Sequence, residues 1–274
     1  MKGSHTRKKF PLGKIPLDQI TRCHPTSKKK DRCLPSEIYD ALGPTPYKTT
    51  GCEQGADHCL LDKINTMSSD QKKTLRKRYL RPKRPTAWDD KPNTWLDNFN
   101  ILNTMKQYEK SVPWFRFIGV FPRDFSAPNP YKKDRQECLH QELCSLQLKD
   151  EYAKGVRGIG IVFNLDFHFN GGSHWVAMYI NLWNIKEPII SYFDSYGYKT
   201  PDLIARLMKS FPLQIKTCKL GFNARRFQYG GSECGMFSMY FIICMISGIS
   251  FKDFCKTSVN DSTMLELRKI LFSK

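Results

Sequence analysis

Four side chains that together can break an acyl bond stand at the edges of regular stretches in the second half of this 274-residue chain. His174 heads an apolar run, Trp175 to Leu182, behind the turn Gly171-Gly172-Ser173. Asp194 closes the next apolar run, Ile189 to Phe193. Cys234 follows Gly230-Gly231-Ser232-Glu233 and opens the nearly all-apolar stretch Gly235 to Ile246, with Gln228 six residues ahead of it. A thiol attacks as thiolate, so it needs a base and a group that orients the base. A carboxylate that accepts an imidazole N–H fixes the tautomer and favours the charged form. A thiol in the first turn of a helix faces the positive end of the helix dipole. The Gln228 amide and the Cys234 backbone N–H are placed to stabilise a developing oxyanion. Singly, each has an ordinary structural reading: a buried cysteine packs, and an aspartate ends a strand. The order and spacing of the set carry the chemistry. His168, in the loop Asp166-Phe167-His168-Phe169-Asn170, is the rival base and lacks a following Trp.

These groups need elements to bring them together. Trp114–Phe121, Gly158–Phe163, Trp175–Leu182 and Ile189–Phe193 read as strands. If the last two pair antiparallel, the head of one lies beside the tail of the other, and His174 meets Asp194. Helices are expected from Ser36 to Leu42, from Ser69 to Leu80, around Met105 and Tyr108, and over 201–211, 235–246 and 266–272. Strands in the middle with helices on both sides give an α+β class. Residues 82–93, with three prolines and many charges, look like a linker. They divide a basic, mainly helical N-terminal unit (1–92) from a core unit (93–274).

Apolar residues are 40% of the chain, which excludes a wholly disordered protein. No apolar run reaches the roughly 18–20 residues of a membrane span. No apolar stretch follows Lys2, Arg7, Lys8 and Lys9, so a secretory leader is not expected. The net charge is +18, of which residues 1–92 hold +11, from 21 Lys and Arg against 10 Asp and Glu. Such a surface attracts nucleic acid or acidic protein, or is simply a solvated basic face. The ten cysteines form no CxxC pair and match no zinc spacing; free thiols in a reducing compartment are the expectation.

The set His174-Trp175, Phe193-Asp194-Ser195, Gln228 and Glu233-Cys234-Gly235 resembles the cysteine proteases of the SUMO-protease and adenovirus-protease superfamily. Asn98-Phe99-Asn100-Ile101, the stretch from Gly119 to Phe125, Asn164-Leu165-Asp166-Phe167 and His174-Trp175-Val176-Ala177 are similar to one viral branch of it. That branch holds the polyprotein-processing protease of African swine fever virus. The resemblance spans roughly residues 94–274, and the first 92 residues would correspond to that branch's arm domain. It implies a papain-like protease core with a central mixed or antiparallel sheet flanked by helices. It implies Cys234 as nucleophile, His174 as base and then acid, Asp194 as orienter, Gln228 as oxyanion donor and Trp175 shaping the substrate site, with no cofactor or metal. It further implies a cysteine endopeptidase that cuts viral structural polyproteins at Gly-Gly-X sites during virion maturation, in the host cytoplasm and the virion. A SUMO- or ubiquitin-like isopeptidase acting on host conjugates is the alternative with the same centre. A basic nucleic-acid-binding virion protein is the alternative without it. The basic region would contact nucleic acid or acidic core protein.

Overall fold

The computed structural model describes residues 23–26, 32–132 and 137–274. The Lys- and Pro-rich start lies largely outside the described residues. The helices are α1 (Ser36–Ala41), α2 (Pro46–Thr50), α3 (Asp57–Lys63), α4 (Ser69–Tyr79), α5 (Asn98–Ser111), α6 (Gln141–Cys144), α7 (Leu148–Ala153), α8 (Asp202–Gln214), α9 (Cys234–Ile246), α10 (Phe251–Phe254) and α11 (Asp261–Leu271). The strands are β1 (Phe115–Pro122), β2 (Gly158–Asn164), β3 (Trp175–Asn181), β4 (Ile189–Phe193) and β5 (Lys219–Phe222). Local chemistry sets the ends. Ser68 and Gln71 form a reciprocal cap on α4, and Asp97 and Asn100 form another on α5.

The strands form one mixed sheet in the order β1-β2-β3-β4-β5. β1 runs parallel to β2, β3 is antiparallel to both its neighbours, and β5 is parallel to β4. Alternation along β3 sends Trp175, Ala177 and Tyr179 to one face and Val176, Met178 and Ile180 to the other. Both faces are covered, which explains why the central strands read as continuous apolar runs. The first face packs on α5, α9 and α11, and α9 lies across β3. Every residue of α9 is buried, so its sequence shows no amphipathic stripe. The second face is covered by α8 and the segment around α7. The expected α+β core with a mixed sheet flanked by helices is what forms.

Residues 23–80 carry a separate small core of Leu34, Tyr39, Leu60 and Leu61 with their neighbours. Its centre is the buried Asp57 carboxylate, which accepts from the Tyr39 hydroxyl (2.9 Å), the Tyr47 hydroxyl (2.6 Å) and the Cys33 backbone N–H (2.7 Å). Burial first, then the Asp57 charge and hydrogen bonds, push the phenols of Tyr39 and Tyr47 well above their ordinary range. The Pro-rich stretch that follows packs down. Trp88 is buried in the main core, the Arg84 N–H donates to the Ser273 carbonyl (2.8 Å), and the Arg81 guanidinium donates to the Ile270 carbonyl (2.7 Å).

Two expectations need correction. Cys23–Cys33, Cys52–Cys59 and Cys138–Cys144 are disulfide-bonded; Cys218, Cys234, Cys244 and Cys255 remain free thiols. Sequence spacing carries no information on which cysteines approach, so the pairs went unread. The strand β5 was also missed. It is an exposed four-residue edge, Lys219-Leu220-Gly221-Phe222, with no alternation, and its pairing with β4 creates it. No helix among the described residues is long and apolar enough to cross a membrane.

An aromatic cluster holds the end of β4. Phe193 stacks on Phe241 of α9 and meets the edges of Phe227 and Phe254. Phe254→Ala should cost about 3–5 kcal/mol in urea unfolding, the range for deleting a fully buried ring.

Candidate active site

The β3–β4 pairing runs from Asn181↔Ile189 to Ala177↔Phe193. The head of β3 therefore lies beside the tail of β4, and His174 and Asp194 meet there. The His174 Nε2–H donates to Asp194 Oδ1 at 2.8 Å. Asp194 is wholly buried and the imidazole is 11% exposed. The same Oδ1 accepts from the Tyr196 N–H (2.8 Å). Asn223, beyond β5, clamps the Asp194 backbone from both sides: its Oδ1 accepts from the Asp194 N–H (2.8 Å), and its Nδ2 donates to the Asp194 carbonyl (2.7 Å). With Nε2 committed to Asp194, Nδ1 is the ring atom left for the thiol. Cys234, buried at the first position of α9, lies within hydrogen-bonding influence of His174. Burial depresses the His174 pKa, but hydrogen bonds to Asp194 and Cys234 and attraction to their charges outweigh it. The pKa is raised to about 9, so the ring is an imidazolium at neutral pH. That is the partner a thiolate needs.

Trp175, the residue after the imidazole, is pinned by its indole N–H to the Leu96 carbonyl (3.0 Å). A methyl group on Gly235 would sit 3.2 Å from both Trp175 and Leu96, so a side chain after Cys234 would have to press these neighbours back by a few tenths of an ångström. Gln228 is fully buried, with its amide already engaged. Its Oε1 accepts from the Ser195 hydroxyl (2.7 Å), and its Nε2 donates to the Gly230 carbonyl (2.8 Å) and the Tyr196 hydroxyl (3.1 Å). Donation to an oxyanion requires it to release one of these. His168 does not compete for Cys234. Its backbone N–H and Nδ1 bind Asp124 at 2.9 and 2.7 Å.

Three contributors were not read from the sequence. Tyr196 stacks on His174 with ring centroids 4.8 Å apart, and its hydroxyl donates to the Gly230 carbonyl (2.9 Å). Trp95 donates its indole N–H to the Gly231 carbonyl (2.8 Å), fixing the other side of the nucleophile loop. Arg268 of α11 forks onto Glu233, next to the nucleophile, at 2.8 and 2.9 Å, and reaches the Thr94 carbonyl (2.8 Å). Both partners of that ion pair are almost wholly buried, with the Trp88 ring 4.5 Å from the guanidinium. Burial raises the Glu233 carboxyl above its usual range, against the opposing pull of Arg268. Only the position of Tyr196 two residues after Asp194 could have signalled it; Arg268 and Glu233 lie 35 residues apart.

A buried thiol at the start of an apolar helix, facing an imidazole braced by a carboxylate at the end of a mixed sheet, is the arrangement of a papain-like cysteine protease. Residues 159–273 match the C-terminal catalytic domain of the Ulp1 protease family. R355, described as a thiol protease of Acanthamoeba polyphaga mimivirus, is 31% identical over 194 residues, 66% of this chain; the chain spans 58% of that relative's length. The cysteine protease S273R of African swine fever virus is 26% identical over an alignment covering 93% of this chain and 98% of that protein. A crystal structure of that virus's pS273R protease shares the fold, with a TM-score of 0.69, 24% identity and coverage of 90% and 93% of the two chains. Residues 159–273 thus match a Ulp1-type cysteine protease domain, and the relatives that the chain resembles are viral cysteine proteases.

The raised His174 pKa predicts a pH-dependent stability. The folded imidazole holds its proton up to about pH 9, whereas an unfolded histidine loses it near 6.5. The contribution is complete below about pH 6.5 and lost as pH rises toward 9, amounting to about 3 kcal/mol. In urea titrations the stability gap between wild type and His174→Ala should be larger by this amount at pH 6 than above pH 9.

Arg268→Met should cost about 3–5 kcal/mol, because it leaves the Glu233 carboxylate buried without its partner. The double variant Arg268→Met/Glu233→Met should recover most of that loss, as chemical denaturation would show.

Proposed function

We propose that the chain is an endopeptidase that cuts viral structural polyproteins at Gly-Gly-X sites during particle maturation, working in the host cytoplasm and the virion. The observation that carries this reading is the His174–Asp194 pair set beside Cys234 at the start of α9. In this reading the Cys234 thiolate attacks the scissile carbonyl carbon. The C–N bond breaks, His174 gives its proton to the leaving amine, and an acyl-thioester remains. His174, now neutral, takes a proton from water, which attacks the thioester and releases the acid, restoring the Cys234 thiolate beside the imidazolium. The Cys234 N–H and Gln228 hold the oxyanion once Gln228 exchanges its contact with Tyr196 or Gly230 for the substrate. Trp175 and Trp95 wall the site, which favours substrates with small residues at the scissile bond.

Residues 1–92 act in this reading as an arm domain that Trp88, Arg81 and Arg84 tie to the core of 93–274. In α4, Lys73, Lys77 and Arg78 are exposed and no residue is buried. That face suits nucleic acid or an acidic core protein.

Incubation of the purified protein with a Gly-Gly-X peptide, and with SUMO and ubiquitin conjugates, tests the function. Peptide cleavage should be lost by at least about 10⁴-fold in Cys234→Ala. Asp194→Asn should retain more activity than His174→Ala, since Asn can still accept from the imidazole. Cleavage of the conjugates alone would replace the endopeptidase reading by the isopeptidase one.

A further inference from the structure

Beside His174 the surface opens into a cleft of about 520 Å³. It starts at the catalytic strand: Ser173 and Trp175 both line it, and Leu165, between the lining residues Asn164 and Asp166, donates its N–H to the His174 carbonyl (2.9 Å). Trp95 and Trp175 supply aromatic surface, and Asp97, Asp166 and His168 supply polar groups; the Phe167 ring already carries the Arg123 guanidinium 4.2 Å from its centroid. None of the lining residues is Lys or Arg, although the chain as a whole carries +18.

The sign of the charge in the cleft does not depend on the proton of His168. Asp124 lies behind it, 5% exposed, and gives both carboxylate oxygens to this one residue. With a protonated ring the pair sums to zero, and with a neutral ring to minus one. His140, also on the wall, has its pKa lowered chiefly by burial and adds no positive charge at neutral pH. Asp97 and Asp166 then keep the cleft negative in either state, with Arg123, stacked 4.2 Å over the Phe167 ring, offsetting one of those charges. The Nδ1 bond to Asp124 leaves Nε2 as the free ring nitrogen of His168.

We propose that this cleft is a substrate subsite that takes a lysine or arginine side chain of the bound polypeptide. The aromatic walls accept the aliphatic stem and the face of the cation, and Asp166 and Asp97 receive its N–H groups. The proposal rests on the protease reading, because it needs a chain lying across Cys234 and continuing past Trp175. It adds to that reading a requirement for a basic residue at one fixed distance from the scissile bond. Asp166 is the best single probe. Asp97 caps α5 and is needed there, whereas no protein group among the described residues hydrogen-bonds the Asp166 carboxylate.

The test measures binding, so it does not depend on turnover. Full-length Cys234→Ala protein is titrated calorimetrically with Gly-Gly-containing peptides in which Lys, Gln or Glu is scanned one position at a time. At one position the Lys peptide should bind roughly tenfold tighter than its Glu counterpart. Asp166→Lys should abolish or invert that preference. Equal binding of Lys and Glu peptides at every position, a preference that survives Asp166→Lys, or no binding of any peptide would each overturn the subsite. A wild-type protein that binds the Lys peptide selectively yet cleaves none of the series would instead contradict the protease reading and leave the subsite standing.

Discussion

The chemistry of this protein depends on one pairing. Antiparallel β3 and β4 bring the head of one strand to the tail of the other, and the His174–Asp194 hydrogen bond forms at that junction. A buried carboxylate is costly unless its charge is met, and here an imidazolium and a backbone N–H meet it. The same bond turns the ring so that Nδ1 is left for Cys234. Much of the surrounding structure keeps this junction in place. Phe193 locks the strand end into the aromatic cluster, Asn223 holds the Asp194 backbone, and Tyr196 lies flat against the imidazole.

The nucleophile is positioned by a second, independent device. Cys234 belongs to a helix buried along its whole length, but the glycine-rich loop before it has little packing of its own. The Arg268–Glu233 pair ties that loop to α11 and to the Thr94 carbonyl, while Trp95 fixes Gly231 and Tyr196 fixes Gly230. Buried ion pairs are weak sources of net stability. Holding loop, helix and substrate wall in register is the more consistent reason for this one.

The parts legible in the sequence were those in which pattern and contact coincide. His174 heading β3, Asp194 following β4 and Cys234 opening α9 each sit at a boundary where apolar periodicity starts or stops, and hairpin geometry does the rest. The central strands were readable because burial on both faces makes them continuously apolar. What stayed hidden was set by tertiary approach: the cysteine pairs, the short edge strand β5, the Arg268–Glu233 pair and the Asp124–His168 pair, whose members lie 44 residues apart. The expectation for the Gln228 amide was an oxyanion contact, whereas its resting bonds to Tyr196 and Gly230 are visible only in the structure.

The central claim is that His174 rests as an imidazolium, held so by Asp194 and Cys234. An NMR titration of the His174 ring nitrogens in the wild-type protein measures this directly. A midpoint near pH 9, falling in Asp194→Asn, is the result this structure predicts. A midpoint near 6.5, the value for an isolated histidine, with no change in Asp194→Asn, would contradict it.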